Sequence, residues 1–160
     1  MLVLMIVAIL LIGCQSSNIK EDNNEVETTN QKETKSENNE NGDETTMIIT
    51  INNKAYEIEL ENNETVSTLT SLLPLSLTMD ELNGNEKYVY VNQSFPTNAK
   101  NPGTIFEGDI MLYGNNCLVL FYDTFDTSYQ YTRIGHIKNT TDLKETVGKG
   151  SIQVKFDTKK

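Results

Sequence analysis

The stretch MIITINNKAYEIELE, residues 47–61, decides the fold class. Apolar side chains occupy alternate positions on both sides of the Asn52-Asn53 pair, and glutamates fill the intervening positions of the second half. A period of two is typical of a half-buried strand, and a two-residue asparagine turn joins antiparallel strands. The stretch therefore predicts a β-hairpin with one buried face and one acidic, solvated face.

The residues after the hairpin continue in short elements. Asn62 and Asn63 can cap a short helix that places Val66 and Leu69 on one face, and Pro74 ends it. Further strands are predicted at residues 75–82, 86–91, 108–113, 117–122, 129–137 and 152–156, and a second short helix at 142–147. About eight short strands with two small helices favour a mainly β barrel or closed sandwich. The segments 92–104 and 123–128 are predicted to be irregular loops, where binding residues commonly lie.

The N-terminus predicts export. Residues 2–12 form an apolar run that is shorter than the roughly 20 residues of a membrane-spanning helix and is typical of a signal peptide. The run ends in Leu11-Ile12-Gly13-Cys14, which resembles a lipobox and implies cleavage before Cys14 and a diacylglycerol on its sulfur. No Lys or Arg precedes the run, so an uncleaved membrane anchor or a chance cysteine stays open as an alternative. We expect a lipid-anchored domain on the extracytoplasmic side of the cell membrane.

Residues 14–46 follow as a linker. They are rich in Asn, Glu, Thr, Lys and Ser, and after Cys14 only Ile19 and Val26 are aliphatic. Low hydrophobicity and like charges predict a disordered acidic tether, which would span on the order of 30 Å. The expected organisation is a signal peptide at 1–13, the lipidated Cys14 and linker at 14–46, and one folded domain at 47–160.

Composition excludes several functions. The net charge of −10 offers no basic surface for phosphates, so nucleic acid is not an expected partner. Cys117 begins the apolar run CLVLFY, residues 117–122, where a small buried hydrophobe is the expected role. His136 is the only histidine, so no histidine-based metal cluster or catalytic dyad with a second histidine can form, and neither a metal nor a cofactor is expected. We predict no catalytic residues.

Aromatic side chains are the candidates for binding. Tyr88 and Tyr90 share one face of a strand, and Tyr129 and Tyr131 share another. Tyrosine combines an apolar ring with a polar tip, which suits a pocket, although aromatic residues most often belong to the core. The only arginine, Arg133, either reaches a cleft or pairs with a surface carboxylate. The predicted ligand-binding residues are Tyr88, Tyr90, Phe121, Tyr129 and Arg133.

Five motifs in order resemble the prokaryotic cyclophilin-like fold family. They are residues 83–88, NGNEKY; 101–103, NPG; 107–114, EGDIMLYG; 117–122, CLVLFY; and 133–137, RIGHI. The resemblance covers about residues 47–157. It implies a closed eight-stranded β-barrel with two helices, and it implies no established activity because fold alone does not set function.

Three interpretations of function follow as expectations. True cyclophilins isomerise prolyl peptide bonds with an arginine that lies in a Phe-His-Arg run, and this sequence lacks that run. We therefore expect a binding module for a peptide or small ligand at the cell envelope. The alternative is a peptidyl-prolyl isomerase that acts on exported proteins, and a structural envelope component without a ligand is a third interpretation.

Overall fold

A computed structural model describes residues 46–159. The predicted hairpin is present, and its strands β1 (Met47–Ile51) and β2 (Lys54–Leu60) pair with Met47 opposite Ile58. Asn52 and Asn53 have positive φ values of 47° and 72°, the backbone twist that a two-residue hairpin turn requires. The signal peptide, Cys14 and nearly all of the linker lie outside the described residues.

The remaining elements follow the predicted order closely. They are α1 (Glu64–Ser71), β3 (Leu75–Leu82), β4 (Glu86–Tyr90), β5 (Thr104–Ile105), β6 (Asp109–Tyr113), β7 (Cys117–Phe121), β8 (Phe125–Asp126), β9 (Thr132–Ile137), α2 (Leu143–Val147) and β10 (Ile152–Thr158). Asn63 caps α1 as predicted, because its side-chain oxygen accepts a 2.9 Å hydrogen bond from the Val66 amide. No helix among residues 46–159 has the length and apolar character needed to cross a bilayer.

Eight strands close into an antiparallel barrel in the order β1-β10-β3-β4-β7-β6-β9-β2. Closure pairs every one of these strands on both sides, which removes the free edges of an open sheet. The alternation of the hairpin directs Ile49, Ile51 and Ile58 into the interior core, which Leu69 of α1 and Leu143 of α2 also join. The predicted eight-stranded barrel with two helices is confirmed.

A second apolar core lies outside the barrel wall. Leu118 and Leu120 of β7 point into the interior core, whereas Cys117, Val119 and Phe121 alternate with them and join the second core. Ile105 of β5 and Phe125 of β8 cover this outer face, since the two short strands pair with each other beside the barrel. The two predicted loops are therefore partly ordered as a small sheet.

The predicted strand at 129–137 begins later than expected. β9 starts at Thr132, and Tyr131 forms only an isolated bridge with Lys100. The Tyr129 amide donates to the Thr127 hydroxyl at 3.1 Å, which is a local turn contact. The tyrosines before β9 therefore lie on a segment that crosses the outer face of the wall.

Candidate functional site

A cavity of about 330 Å³ opens on the outer face of the barrel wall. The alternation of β4 places Glu86, Tyr88 and Tyr90 on this face, because Lys87 between them points inward. Five tyrosines line the cavity: Tyr88, Tyr90, Tyr113, Tyr129 and Tyr131. We call it the tyrosine pocket.

The tyrosines form two walls of contacting rings, in edge-to-face or tilted arrangements. Tyr88 and Tyr90 make one wall, with ring centroids 6.0 Å apart and planes at 82°. Tyr113 makes the other wall, with its ring 6.1 Å from that of Tyr129 and 5.6 Å from that of Tyr131. Such contacts hold aromatic rings in defined orientations, so the walls are preorganised. Tyr90 and Tyr129 remain 63% and 62% exposed at the rim.

The floor of the pocket carries a buried carboxylate. Glu86 is only 9% exposed, and no other residue in the range 46–159 gives its carboxylate a hydrogen bond or ion pair. Burial raises the pKa of Glu86 above its usual value of 4.5, and the negative charge of Glu81 raises it further. Val119 and Cys117 complete the floor beside it.

The other titratable groups on the floor stay neutral at pH 7. Burial raises the pKa of the Cys117 thiol above 9.0, and Glu86 adds to that effect while a hydrogen bond with Tyr90 opposes it. Burial also raises the pKa of Tyr131 to about 12. A neutral thiol is a poor nucleophile, so Cys117 is not activated for covalent chemistry.

A separate polar cluster surrounds Asp109 at the start of β6. The carboxylate of Asp109 is completely buried and accepts hydrogen bonds from Arg133 Nη2 at 2.9 Å and from the Phe106 amide at 3.0 Å. Its Oδ1 also lies 3.0 Å from His136 Nδ1, and Arg133 Nε lies 3.3 Å from the Glu61 carboxylate. The only arginine and the only histidine thus meet on one buried carboxylate.

The comparisons with known proteins agree with this architecture. The sequence model of the cyclophilin-like family matches residues 49–157, which include nearly the whole barrel. The chain belongs to the cyclophilin-like family. Its fold is also similar to the solution structure of a hypothetical protein from Archaeoglobus fulgidus, with a TM-score of 0.51 and 25% identity over 76% of this chain and 99% of that one. No curated protein matches the chain.

The cyclophilin-like barrel brings together three of the five predicted ligand-binding residues. Tyr88, Tyr90 and Tyr129 line the pocket. Phe121 lies behind it, completely buried, with its ring 5.5 Å from that of Tyr131. Phe121 therefore supports a wall without facing the cavity.

Arg133 is the predicted residue that lies apart from the tyrosine pocket. Its guanidinium is held by Asp109 and Glu61, and it is not among the residues that line the pocket. This arrangement corresponds to the second interpretation of Arg133, pairing with carboxylates. The predicted burial of Cys117 is confirmed, because its exposure is 3%.

Several pocket residues, including Glu86 and Tyr113, were not among the predicted ligand-binding residues. Glu86 shares the period-two face of Tyr88 and Tyr90, so its position was predictable, but its place on one cavity with Tyr129 and Tyr131 depends on contacts distant in the sequence. Tyr113 ends β6 and reaches the pocket only because β6 pairs with β7 beside β4. Within residues 46–159, no three metal-ligating side chains lie close enough together to hold an ion.

Proposed function

We propose that this cyclophilin-like domain is a binding module whose tyrosine pocket takes a small ligand or one side chain of a peptide. A single observation carries the proposal: a preorganised aromatic cavity has an unpaired, buried carboxylate at its floor. The cavity volume of about 330 Å³ lies within the range of small-molecule sites, which is roughly 300–1,000 Å³.

The exposure of the rim supports the proposal. Tyr90, Tyr113 and Tyr129 are all large exposed rings, and they lie on one cavity rather than scattered over the surface. Clustered exposed aromatic residues mark binding sites more often than single ones do. A ligand in the pocket would cover these rings and gain their apolar area.

We further propose that the domain is displayed outside the cell membrane. The lipobox-like sequence that ends at Cys14 supports a lipid anchor, and the acidic linker at 15–46 supports a flexible spacer. A spacer of this length would hold the pocket on the order of 30 Å from the bilayer. Ligands at the cell envelope would then have direct access to the pocket.

A fragment screen against pocket variants tests the proposed binding function. Tyr90→Ala and Tyr129→Ala should each weaken bound fragments by about threefold to tenfold, because an aromatic contact contributes about 0.5–1.5 kcal/mol beyond its area. Ligand-observed saturation-transfer NMR measures the loss. Phe106→Ala is the matched control, since Phe106 is 53% exposed and lies outside the pocket. Equal losses in all three variants would contradict the proposal.

Isomerase activity is the alternative, and we expect none. The pocket has no arginine among its lining residues to favour the twisted amide nitrogen, and Arg133 is engaged by Asp109 and Glu61. A prolyl-peptide assay should give the uncatalysed rate for both the native chain and Arg133→Ala. Catalysis by the native chain that Arg133→Ala abolishes would establish the isomerase instead.

A further inference from the structure

Glu86 is an exception among the buried polar side chains. Five polar or charged residues in the described range are buried: Thr65, Glu86, Lys87, Asp109 and Thr132. The other four have hydrogen-bond partners, as when Thr65 donates to the Pro96 carbonyl at 2.7 Å. In residues 46–159 the only fully buried polar side-chain atom without a partner is Asn85 Oδ1, so the Glu86 oxygens keep some contact with the cavity, but a carboxylate in so enclosed a site is still stabilised by pairing. The Glu86 carboxylate is therefore available to pair with a group from outside the chain.

The surroundings of Glu86 select the charge of that partner. The faces of aromatic rings carry partial negative charge and attract cations, most strongly where water is excluded. The charged group that acts on the Glu86 pKa is another acid, Glu81, and its effect is repulsive. Lys87, the adjacent cation, points to the other side of the wall and is bound to Glu81. An anionic ligand would meet repulsion here, whereas a cation would satisfy both the carboxylate and the rings.

We infer that the tyrosine pocket binds an organic ammonium ion, with its charged head on Glu86 and its alkyl groups against the tyrosine rings. This inference rests on the proposed binding function and names its ligand class. The head group is either a free small amine or the ammonium of a lysine side chain, which share the same chemistry. The net charge of −10 would also favour the approach of a cation.

The affinity should depend on pH through Glu86. Because its pKa is raised, Glu86 begins to take up a proton at a higher pH than an ordinary glutamate. Ammonium binding should weaken as the pH falls through that raised value, since the protonated carboxyl no longer attracts the cation. The titratable and charged groups that face Glu86 are Glu81, Tyr88, Tyr90, Tyr113, Cys117, Tyr122, Tyr129 and Tyr131.

A matched pair of probes tests the charge requirement. Choline and 3,3-dimethylbutan-1-ol have nearly the same shape, but only choline is charged. Titration of the full chain, followed by protein-observed NMR, should show saturable shifts at the pocket with choline and at least tenfold weaker binding of the neutral alcohol, which lacks the charge that the rings and Glu86 attract. N-acetyl-lysine-N′-methylamide is a third probe, and tighter binding of it than of choline would assign a peptide lysine as the source.

Glu86→Gln tests the assigned residue. It should weaken choline binding by about tenfold or more and remove the acid dependence of binding, because the amide keeps the shape without the charge that attracts the cation. The same variant should raise the melting temperature of the free chain, since it removes a buried unpaired charge. Glu59→Gln is the control, because this exposed β2 residue undergoes the same change in charge outside the pocket. If the role of Glu86 were purely structural, Glu86→Gln would not weaken choline binding while raising the melting temperature.

The outcomes separate this inference from the proposed function. Equal binding of choline and the neutral alcohol would overturn the ammonium inference while the binding function stands. If neither choline nor the lysine derivative caused shifts while neutral fragments bound the pocket, the ammonium inference would likewise be overturned. Failure of all fragments to bind at the tyrosine pocket would remove both.

Discussion

A chain carrying Lys87→Met should lose about 3 kcal/mol of unfolding free energy, because breaking a buried ion pair costs roughly 3–5 kcal/mol. Lys87 is 0% exposed, and its Nζ donates to the Glu81 carboxylate. It also donates to the Gly150 carbonyl at 2.6 Å and lies 5.3 Å from the centre of the Tyr122 ring. Methionine fills the volume but leaves these acceptors unpaired. Glu81 is partly exposed and can regain some water, which places the effect near the lower bound.

Urea unfolding at pH 7 measures the loss, and Lys149→Met is the control. Lys149 is an exposed lysine of the loop whose carbonyls Lys87 binds, so its replacement should change the free energy of unfolding by less than about 0.5 kcal/mol. A Lys87→Met chain that unfolds within 1 kcal/mol of the native chain, a margin of roughly one ordinary hydrogen bond, would contradict the buried pair.

Lys87→Met should also change how the free energy of unfolding depends on pH below neutrality. Burial alone would raise the pKa of Glu81, but the hydrogen bonds from Lys87, Tyr122 and the Gly84 amide outweigh it and hold the pKa below 4.5. A lowered folded pKa means that this stabilisation is present above pH 4.5 and is lost as the pH falls through the folded value. Lys87→Met should flatten that loss in unfolding curves recorded between neutral and acidic pH.

Gly135→Ala is the second change with a large expected effect. A Cβ at Gly135 would lie 2.4 Å from the Glu59 carbonyl oxygen and 2.9 Å from the Ile58 Cγ2 atom. The first contact is with backbone, so it cannot be relieved by a side-chain rotation. The strands β2 and β9 would have to separate where Leu60 pairs with Gly135. We expect a loss of about 3 kcal/mol, at the upper end for overpacking.

Gly84→Ala separates the steric effect from backbone strain. Gly84 has a φ of +77° and nothing within 4 Å of an added Cβ, so only the left-handed conformation is penalised, by about 1–2 kcal/mol. Gly135→Ala should be the less stable of the two in urea unfolding, and hydrogen exchange should quicken at the β2–β9 pairing. If Gly135→Ala were the more stable variant, the two strands could not pack as closely as described.

Local pattern was sufficient to predict most of the barrel. The alternation in 47–61 and the Asn52-Asn53 turn predicted the first hairpin with its correct buried face, and Asn63 predicted the start of α1. These features depend on neighbours in the sequence. The β5–β8 sheet escaped prediction because a strand of two residues has no measurable period.

The pocket was only half predictable, for a physical reason. Tyr88 and Tyr90 share a face by periodicity alone, but Tyr113 and Tyr129 approach them through barrel closure and long-range pairing. The position of Glu86 on the same cavity as Tyr129 and Tyr131 likewise depends on long-range contacts. Arg133 was predicted to bind the ligand but lies outside the pocket. Nothing in the sequence indicated that the buried Asp109 would hold it.

The most direct test of the central claim is a chemical-shift map of the protein with a bound probe. Choline, or the strongest fragment from the screen, should produce its largest backbone shifts at Tyr88, Tyr90, Tyr113, Cys117 and Tyr129. The amides around Asp109 and Arg133 should move little, because that cluster is already satisfied within the chain. Shifts centred on Arg133, or saturable binding that leaves the tyrosine pocket unperturbed, would contradict the account.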